Sequence, residues 1–283
     1  MEYQQKQQDV LFIKDASVIK AYFQKQVNTV ECILKKTHQK ISKEDIHKLR
    51  IAVKKIKALS TLILFCQPAF KVRKFMKPFN RIFKVAGQIR ELQLEISRLR
   101  KMQLGPLKDY LHHLETRLKK KKHLFFTLSN NKLRRKLQKR SKKIIPVFDE
   151  VSKTSVNRFL EEKRNEISKL LVSENLKEKQ AHKLRKRLKE LYYTKFLFGT
   201  KDKRSTNIDG FQQLLGQWHN DVVLKDGLQK ALDKKDEPEN ELKIISNTRN
   251  KISFESKLLF EKIKAGAAAI DSSLFKIENS SIL

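Results

Sequence analysis

The chain has 283 residues, with 64 Lys plus Arg against 31 Asp plus Glu and a formal net charge of +33 at pH 7. That imbalance points to a polyanionic partner such as nucleic acid, an anionic membrane surface or another phosphate polymer, while 39% hydrophobic residues exclude a compositionally disordered chain. No run approaches the roughly 18 apolar residues of a membrane span, and the start Met-Glu-Tyr-Gln-Gln-Lys lacks a basic segment followed by an apolar one, so a cytoplasmic location is expected.

Seven glycines and five prolines, amid abundant Leu, Lys, Glu and Gln, predict an almost entirely helical protein. A first helix is expected from about Asp15 to Thr37, with Val18, Ala21, Tyr22, Val27, Val30, Ile33 and Leu34 on its apolar face. Ser42, with Asp45 three residues on, reads as the N-cap of a second helix that ends near Cys66. A third spans about Ala69 to Met102 and contains Gly87, and Gly105-Pro106 breaks it. A fourth starts after Pro106 and reaches at least Leu128, where Ser129-Asn130-Asn131 offers a turn. Four further helices are expected from about Val156 to Val172, Leu176 to Phe198, Ile208 to Leu232 and Glu239 to Ala269. Their breaks fall at Ser173-Glu174-Asn175, Thr200 to Asn207 and Asp236 to Pro238. Four helices thus answer four, and paired four-helix units are the natural way to bury such stripes.

From Arg117 to Lys143 there is no Asp or Glu, while Lys and Arg accumulate. Leu124, Phe125, Phe126, Leu128, Leu133 and Leu137 are interleaved with them, so this stretch can pack and still present cations. It reads as a solvated helix face or as a second contact for a long anion. Cys32 and Cys66 lie in apolar-periodic segments without a C-x-x-C pair and are expected as buried free thiols in a reducing compartment.

Two stretches begin with the same four residues, His47-Lys48-Leu49-Arg50 and His182-Lys183-Leu184-Arg185. Both lead to a Leu-Phe pair, Leu64-Phe65 and Leu197-Phe198, and then to a Gly-Gln pair, Gly87-Gln88 and Gly216-Gln217. This order points to a duplicated helical unit. At about 100° per residue, His47, Arg50, Lys54 and Lys57 fall within roughly one quadrant, opposite Leu49, Val53, Ile56 and Ile63. His182, Arg185, Lys186 and Lys189 repeat the cationic side, and Leu184, Leu188, Leu191 and Phe198 the dry one. Each stripe spans about 15 Å of helix and so meets several phosphates of a linear chain. Arg offers a planar fork of donors, Lys a mobile charge and His a donor whose charge rises as phosphate approaches. Taken singly, either His reads as a solvated or capping residue as readily as a ligand. Gly87 and Gly216 read as small residues at close helix crossings, and Trp218, the single tryptophan, as core.

On these residues the chain resembles the CHAD domain, the conserved-histidine alpha-helical domain, over nearly its whole length. The resemblance rests on His47-Lys48-Leu49-Arg50 with Lys54, Lys55 and Lys57, then Gly87-Gln88-Ile89-Arg90-Glu91. In the second half it rests on His182-Lys183-Leu184-Arg185 and Leu215-Gly216-Gln217-Trp218-His219-Asn220. It implies an all-α fold of two four-helix bundles related by a pseudo-twofold axis, with repeats at 1–145, including the basic segment 117–143, and 146–283. It further implies binding of inorganic polyphosphate on a basic surface and association with polyphosphate granules. Glu190, Tyr192 and Glu91 depart from the family pattern, so the second stripe is expected to carry less charge.

The expected function is non-enzymatic polyphosphate binding. The site residues are His47, Arg50, Lys54, Lys55, Lys57, Arg90, His182, Arg185, Lys186, Lys189 and His219. No catalytic residue, cofactor or metal is assigned. Glu239-Asn240-Glu241-Leu242-Lys243 matches an E-x-E-x-K pattern of triphosphate-hydrolysing enzymes, but it stands at a helix start without the strands such a barrel needs and is read as coincidence. Two alternatives stay open: a nucleic-acid-binding protein and a scaffold for a phosphorylated partner.

Overall fold

Apolar residues recurring every three or four positions wind most of the described residues into α-helix. The structure is a computed structural model that describes residues 16–36, 41–103, 106–171, 176–195 and 205–275. Among the described residues there are nine α-helices, one 3-10 helix and no strand. They are α1 (Ala16–Lys35), α2 (Lys43–Cys66), α3 (Val72–Lys101), α4 (Lys108–Leu128), α5 (Asn131–Ile144), the 3-10 helix Pro146–Glu150, α6 (Lys153–Leu171), α7 (Glu178–Lys195), α8 (Ser205–Lys234) and α9 (Glu239–Phe275). Asp15, Thr37, Gly105, Val172, the break at 173–175, Leu197-Phe198 and positions 200–204 lie outside the described residues.

The start of α2 is set locally. Ser42 Oγ accepts from Asp45 N at 3.0 Å while Asp45 Oδ2 accepts from Ser42 N at 2.9 Å, a reciprocal capping box. Asp45 also receives Lys36 Nζ at 2.6 Å. Burial pushes the Asp45 carboxyl up, but the bonds from Lys36 and Ser42 outweigh it and hold the group below the usual carboxylate range.

The structure corrects the sequence reading in three places. The turn after α4 is followed at once by another helix, α5, whose N-cap Asn130 accepts from Leu133 N at 2.9 Å. The first half therefore holds five α-helices against four in the second. The stripe of α1 is buried as expected at Val27, Val30, Ile33 and Leu34, but at its N-terminal end Ile19 and Phe23 take the core, whereas Val18 is 38% exposed and Ala21 lies outside the core. The larger Phe23 seats this end, sitting against Phe75 and Phe148 with ring centroids 6.3 and 5.3 Å away. Finally, both cysteines are free thiols, but Cys32 is exposed and Cys66 only half-buried, because they stand at the margins of the α1 and α2 stripes.

The buried apolar residues form two clusters. One joins α1, α2, the first part of α3, the end of α4, α5, the 3-10 helix, α6, α7, the start of α8 and the end of α9. The other joins the end of α3, α4, the second part of α8 and the start of α9. Each cluster takes residues from both sides of residue 145, and α3, α4, α8 and α9 run through both. Polar contacts tie the halves as well: Arg98 pairs with the buried Asp221 and lies 3.6 Å from Glu255. Glu241 accepts from Asp109 N and Tyr110 N, both at 2.9 Å, and so caps α4, whose own N-cap Leu107 offers no side-chain acceptor. The E-x-E-x-K stretch thus has a structural use at Glu241. No helix among the described residues is long and apolar enough to cross a membrane.

Candidate functional site

The dry faces of the two basic helices meet inside the larger core. Leu49, Val53 and Ile56 of α2 and Leu184 and Leu188 of α7 are each at most 1% exposed. Burying these faces against each other leaves the cationic sides of α2 and α7 adjacent at the margin of the core. His47, Arg50, Lys54, His182, Arg185 and Lys189 are all half-buried there, joined by Arg90 from α3 and His219 from α8.

Arg50 is the most firmly held. Its guanidinium lies over the Phe83 ring, 4.6 Å from the centroid, and Nη1 donates to the Phe83 carbonyl at 3.4 Å. A Cβ on Gly87 would sit 2.5 Å from Nη1. Gly87 is therefore a seat for Arg50 on the surface of α3. Gly216 plays no such part, since a Cβ there would meet nothing within 4 Å. On the second side His182 packs 4.5 Å from the Trp218 ring and 5.1 Å from the His219 ring. Trp218 is fully buried and stacked on Phe260, which places it in the core as its sequence context suggests. Arg185 Nε and His219 Nδ1 are buried without a hydrogen-bond partner among the described residues.

The electrostatics show that these groups feel one another across the two halves. Burial, then Lys189, Arg50 and Arg185, push the Lys54 ammonium down to about 7. Burial followed by Arg185, His182, Lys189 and Lys54 pushes His219 down to about 3. Burial together with Arg90, Lys54 and Arg50 lowers His47 against the pull of Glu44, and burial with Arg185 and Lys186 lowers His182 against Glu178 and Asp226. Lys189 and Arg185 are lowered by burial and by the neighbouring guanidinium, that of Arg185 and of Arg50 respectively; Tyr193 acts in the opposite direction on Arg185. Glu91 is the carboxylate that acts on Arg50. Among the described residues none of Arg50, Lys54, Arg185 and Lys189 forms an ion pair, whereas Arg98, Arg100, Lys163, Arg187 and Lys264 all do. Half-buried cations that repel one another and form no close ion pair are stabilised by an anion.

Not every residue singled out in the sequence belongs to this cluster. Lys55 turns toward α1, its Nζ 5.5 Å from the Tyr22 ring centroid. Its counterpart Glu190 turns toward Arg187, which donates to it at 2.9 Å and also holds Glu166 on α6 at 2.8 Å. The departure at Glu190 therefore removes no charge from the cluster. Lys57 and Lys186 are exposed at its edge. Phe83 and Tyr193 were not anticipated; the signal for Phe83 is its place one helical turn before Gly87, on the same face of α3. A surface cleft of about 620 Å³ between α1 and α2, lined by Lys25, Cys32, Lys36, Asp45 and Lys48 among others, contains none of the cluster residues.

Comparison with known proteins follows the same lines. A crystal structure of the CHAD domain from the plant Ricinus communis superposes with a TM-score of 0.74 over 95% of this chain and 96% of that one, at 14% identity, which shows a shared fold. No curated protein sequence matches. The family model described as CHAD domain matches residues 21–229, most of the chain and both basic helices, and the protein belongs to the CHAD domain family.

Proposed function

We propose that this protein binds inorganic polyphosphate, without turning it over, along the cationic margin of α2 and α7. The observation that carries the reading is the convergence of His47, Arg50 and Lys54 with His182, Arg185 and Lys189 into one half-buried set lacking ion-pair partners among the described residues. A slim chain with a negative charge at every unit relieves that repulsion. It needs no stacking platform, and Trp218, the ring beside His182, is fully buried. Arg50 and Arg185 supply forked donors, and Lys54 and Lys189 supply charge between them. The neutral imidazoles donate a hydrogen bond and gain a proton as phosphate approaches. The resemblance to the CHAD domain family, which implies a polyphosphate ligand, supports the same reading, and a cytoplasmic protein of this kind would gather on polyphosphate granules.

The test is binding of labelled long-chain polyphosphate in parallel with single-stranded RNA of matched charge across a salt series. Tight polyphosphate binding that RNA does not match, lost in R50A/R185A with helicity intact, is the expected result. Equal affinities with equal salt slopes, unchanged in the double variant, would reduce the cluster to an undirected polycation.

A further inference from the structure

Helix α5, which packs chiefly on α1, α3 and the 3-10 helix rather than on α2 or α7, carries eight Lys or Arg and no carboxylate in 14 residues. Its inner side is anchored by Leu133, Leu137, Ser141 and Ile144, all buried, and by the Asn130 cap. At about 100° per residue, Lys132, Arg135, Lys136, Lys139, Lys142 and Lys143 fall within roughly 120° of arc on the far side, and all six are exposed. Like charges at three- and four-residue spacing repel, and cations in the first turn oppose the helix dipole, with no acidic residue there to offset them. Elsewhere this chain pairs exposed cations with carboxylates, as in Lys20 with Asp149, Arg100 with Glu115 and Lys264 with Glu261. None of the six does so among the described residues. The one nearby carboxylate on α1, Glu31, accepts from Gln138 at 3.1 Å instead.

The geometry points to the outer face of α5 as a second polyphosphate contact, separate from the α2 and α7 cluster, so that one protein molecule bridges two chains. This rests on the function proposed above. The six cations are carried on a rigid helix, so their spacing is preserved when a polymer lies across it. Gln138 is engaged with Glu31, the arc holds no aromatic side chain, and Arg135 is its one guanidinium among five lysines, so the face offers dense point charge and little with which to stack on or read a base. A polymer of phosphate without bases matches such a face best. The α2 and α7 cluster is half-buried and holds a chain in a desolvated setting, whereas α5 is open to water, so its contact is the weaker and more salt-sensitive of the two.

A sandwich assay separates the two readings. The full chain is captured on beads bearing immobilised polyphosphate, and recruitment of a second, fluorescent polyphosphate chain is measured for the wild type, K136Q/K139Q/K143Q and R50A/R185A. Gln keeps helix propensity close to that of Lys. The expected result is capture and second-chain recruitment by the wild type, with capture retained but recruitment reduced to the protein-free background in the α5 variant. Recruitment by the α5 variant at the wild-type level would overturn the bridging surface and leave the cluster reading standing. So would capture of the wild type without any recruitment. Failure of the wild type to be captured at all would sink the polyphosphate reading itself and this one with it. Fluorescent RNA recruited in preference to the second polyphosphate chain, and lost in the α5 variant, would overturn the choice of ligand for this face.

Discussion

Arg50 occupies the space that a side chain on Gly87 would need: a Cβ there would stand 2.5 Å from Nη1. Gly87→Ala therefore has opposite effects on stability and binding. An Ala in a helix interior is favoured over Gly by about 1 kcal/mol, so the melting temperature is expected to hold or rise once the flexible guanidinium has moved away. Polyphosphate affinity is expected to fall about tenfold, because Arg50 loses its place over Phe83. Gly216→Ala is the control. With open space around it, this variant gains stability and keeps its affinity. Thermal melts and binding isotherms on both variants check the contrast, and equal affinity in the two would remove the seating role of Gly87.

Lys54 makes binding depend on pH. Its ammonium is held down to about 7 by burial, Lys189, Arg50 and Arg185, against 10.5 for a free lysine. In the unliganded protein the charged form is penalised in full below about 7, and the penalty fades as pH rises toward 10.5, so this residue makes stability increase with pH across that window. A phosphate chain reverses the balance by favouring the charged form, so binding takes up a proton. Affinity is then expected to fall as pH rises through 7. Calorimetry in buffers of different ionisation enthalpy should show proton uptake at pH 8, and Lys54→Arg, which stays charged, should bind without that contribution. Equal proton uptake by the wild type and the K54R variant would locate the coupling elsewhere, with His47 and His182 the next residues to exchange.

The fold was legible in the sequence because helix signals are local. The Ser42 and Asp45 box, the breaks before Glu239 and near Pro106, and the dry faces through Leu49 and Leu184 all follow from spacing within one turn or two. What was not legible depends on contacts between distant helices. The N-terminal turns of α1 are seated by Phe23 meeting Phe75 and Phe148, and the α4 start is closed by Glu241, 132 positions beyond Asp109. The packing residues Leu133 and Leu137 of α5 were legible, but its standing as a fifth helix of the first half was not, because the four-against-four rhythm assigned the stretch no helix of its own. In the candidate site, the repeat of His-x-x-Arg identified both cationic stripes, but their convergence and the seating of Arg50 on Phe83 and Gly87 required the packing of α2 on α3 and α7.

The buried Glu241 carboxylate gives a prediction that separates fold from site. It receives two backbone N–H groups at the start of α4, and α4 has no other side-chain cap. Glu241→Ala leaves both donors without an acceptor and is expected to cost about 1 to 3 kcal/mol of unfolding free energy. Chemical denaturation should show the midpoint shift with an unchanged m-value, and affinity for polyphosphate should stay at the wild-type level. A binding loss larger than the stability loss would mean that Glu241 serves the ligand as well as the helix.

Lys55 and Glu190 occupy matching places in the two basic helices, eight residues after His47 and His182, and neither faces the cluster. Lys55 lies against Tyr22 on α1, while Glu190 receives Arg187, itself bonded to Glu166 on α6. Restoring the basic residue in the second copy is therefore not expected to strengthen binding. Glu190→Lys replaces an attractive contact by a repulsive one three residues from Arg187, and a loss of about 1 kcal/mol is expected because the pair is only partly exposed. Polyphosphate affinity should change less than about twofold, since the added charge points to α6 and is screened from the cluster. Denaturation and binding measured on this one variant test the assignment together. A clear gain in affinity would show that position 190 does reach the ligand, and that the lower charge of the second copy weakens the natural site.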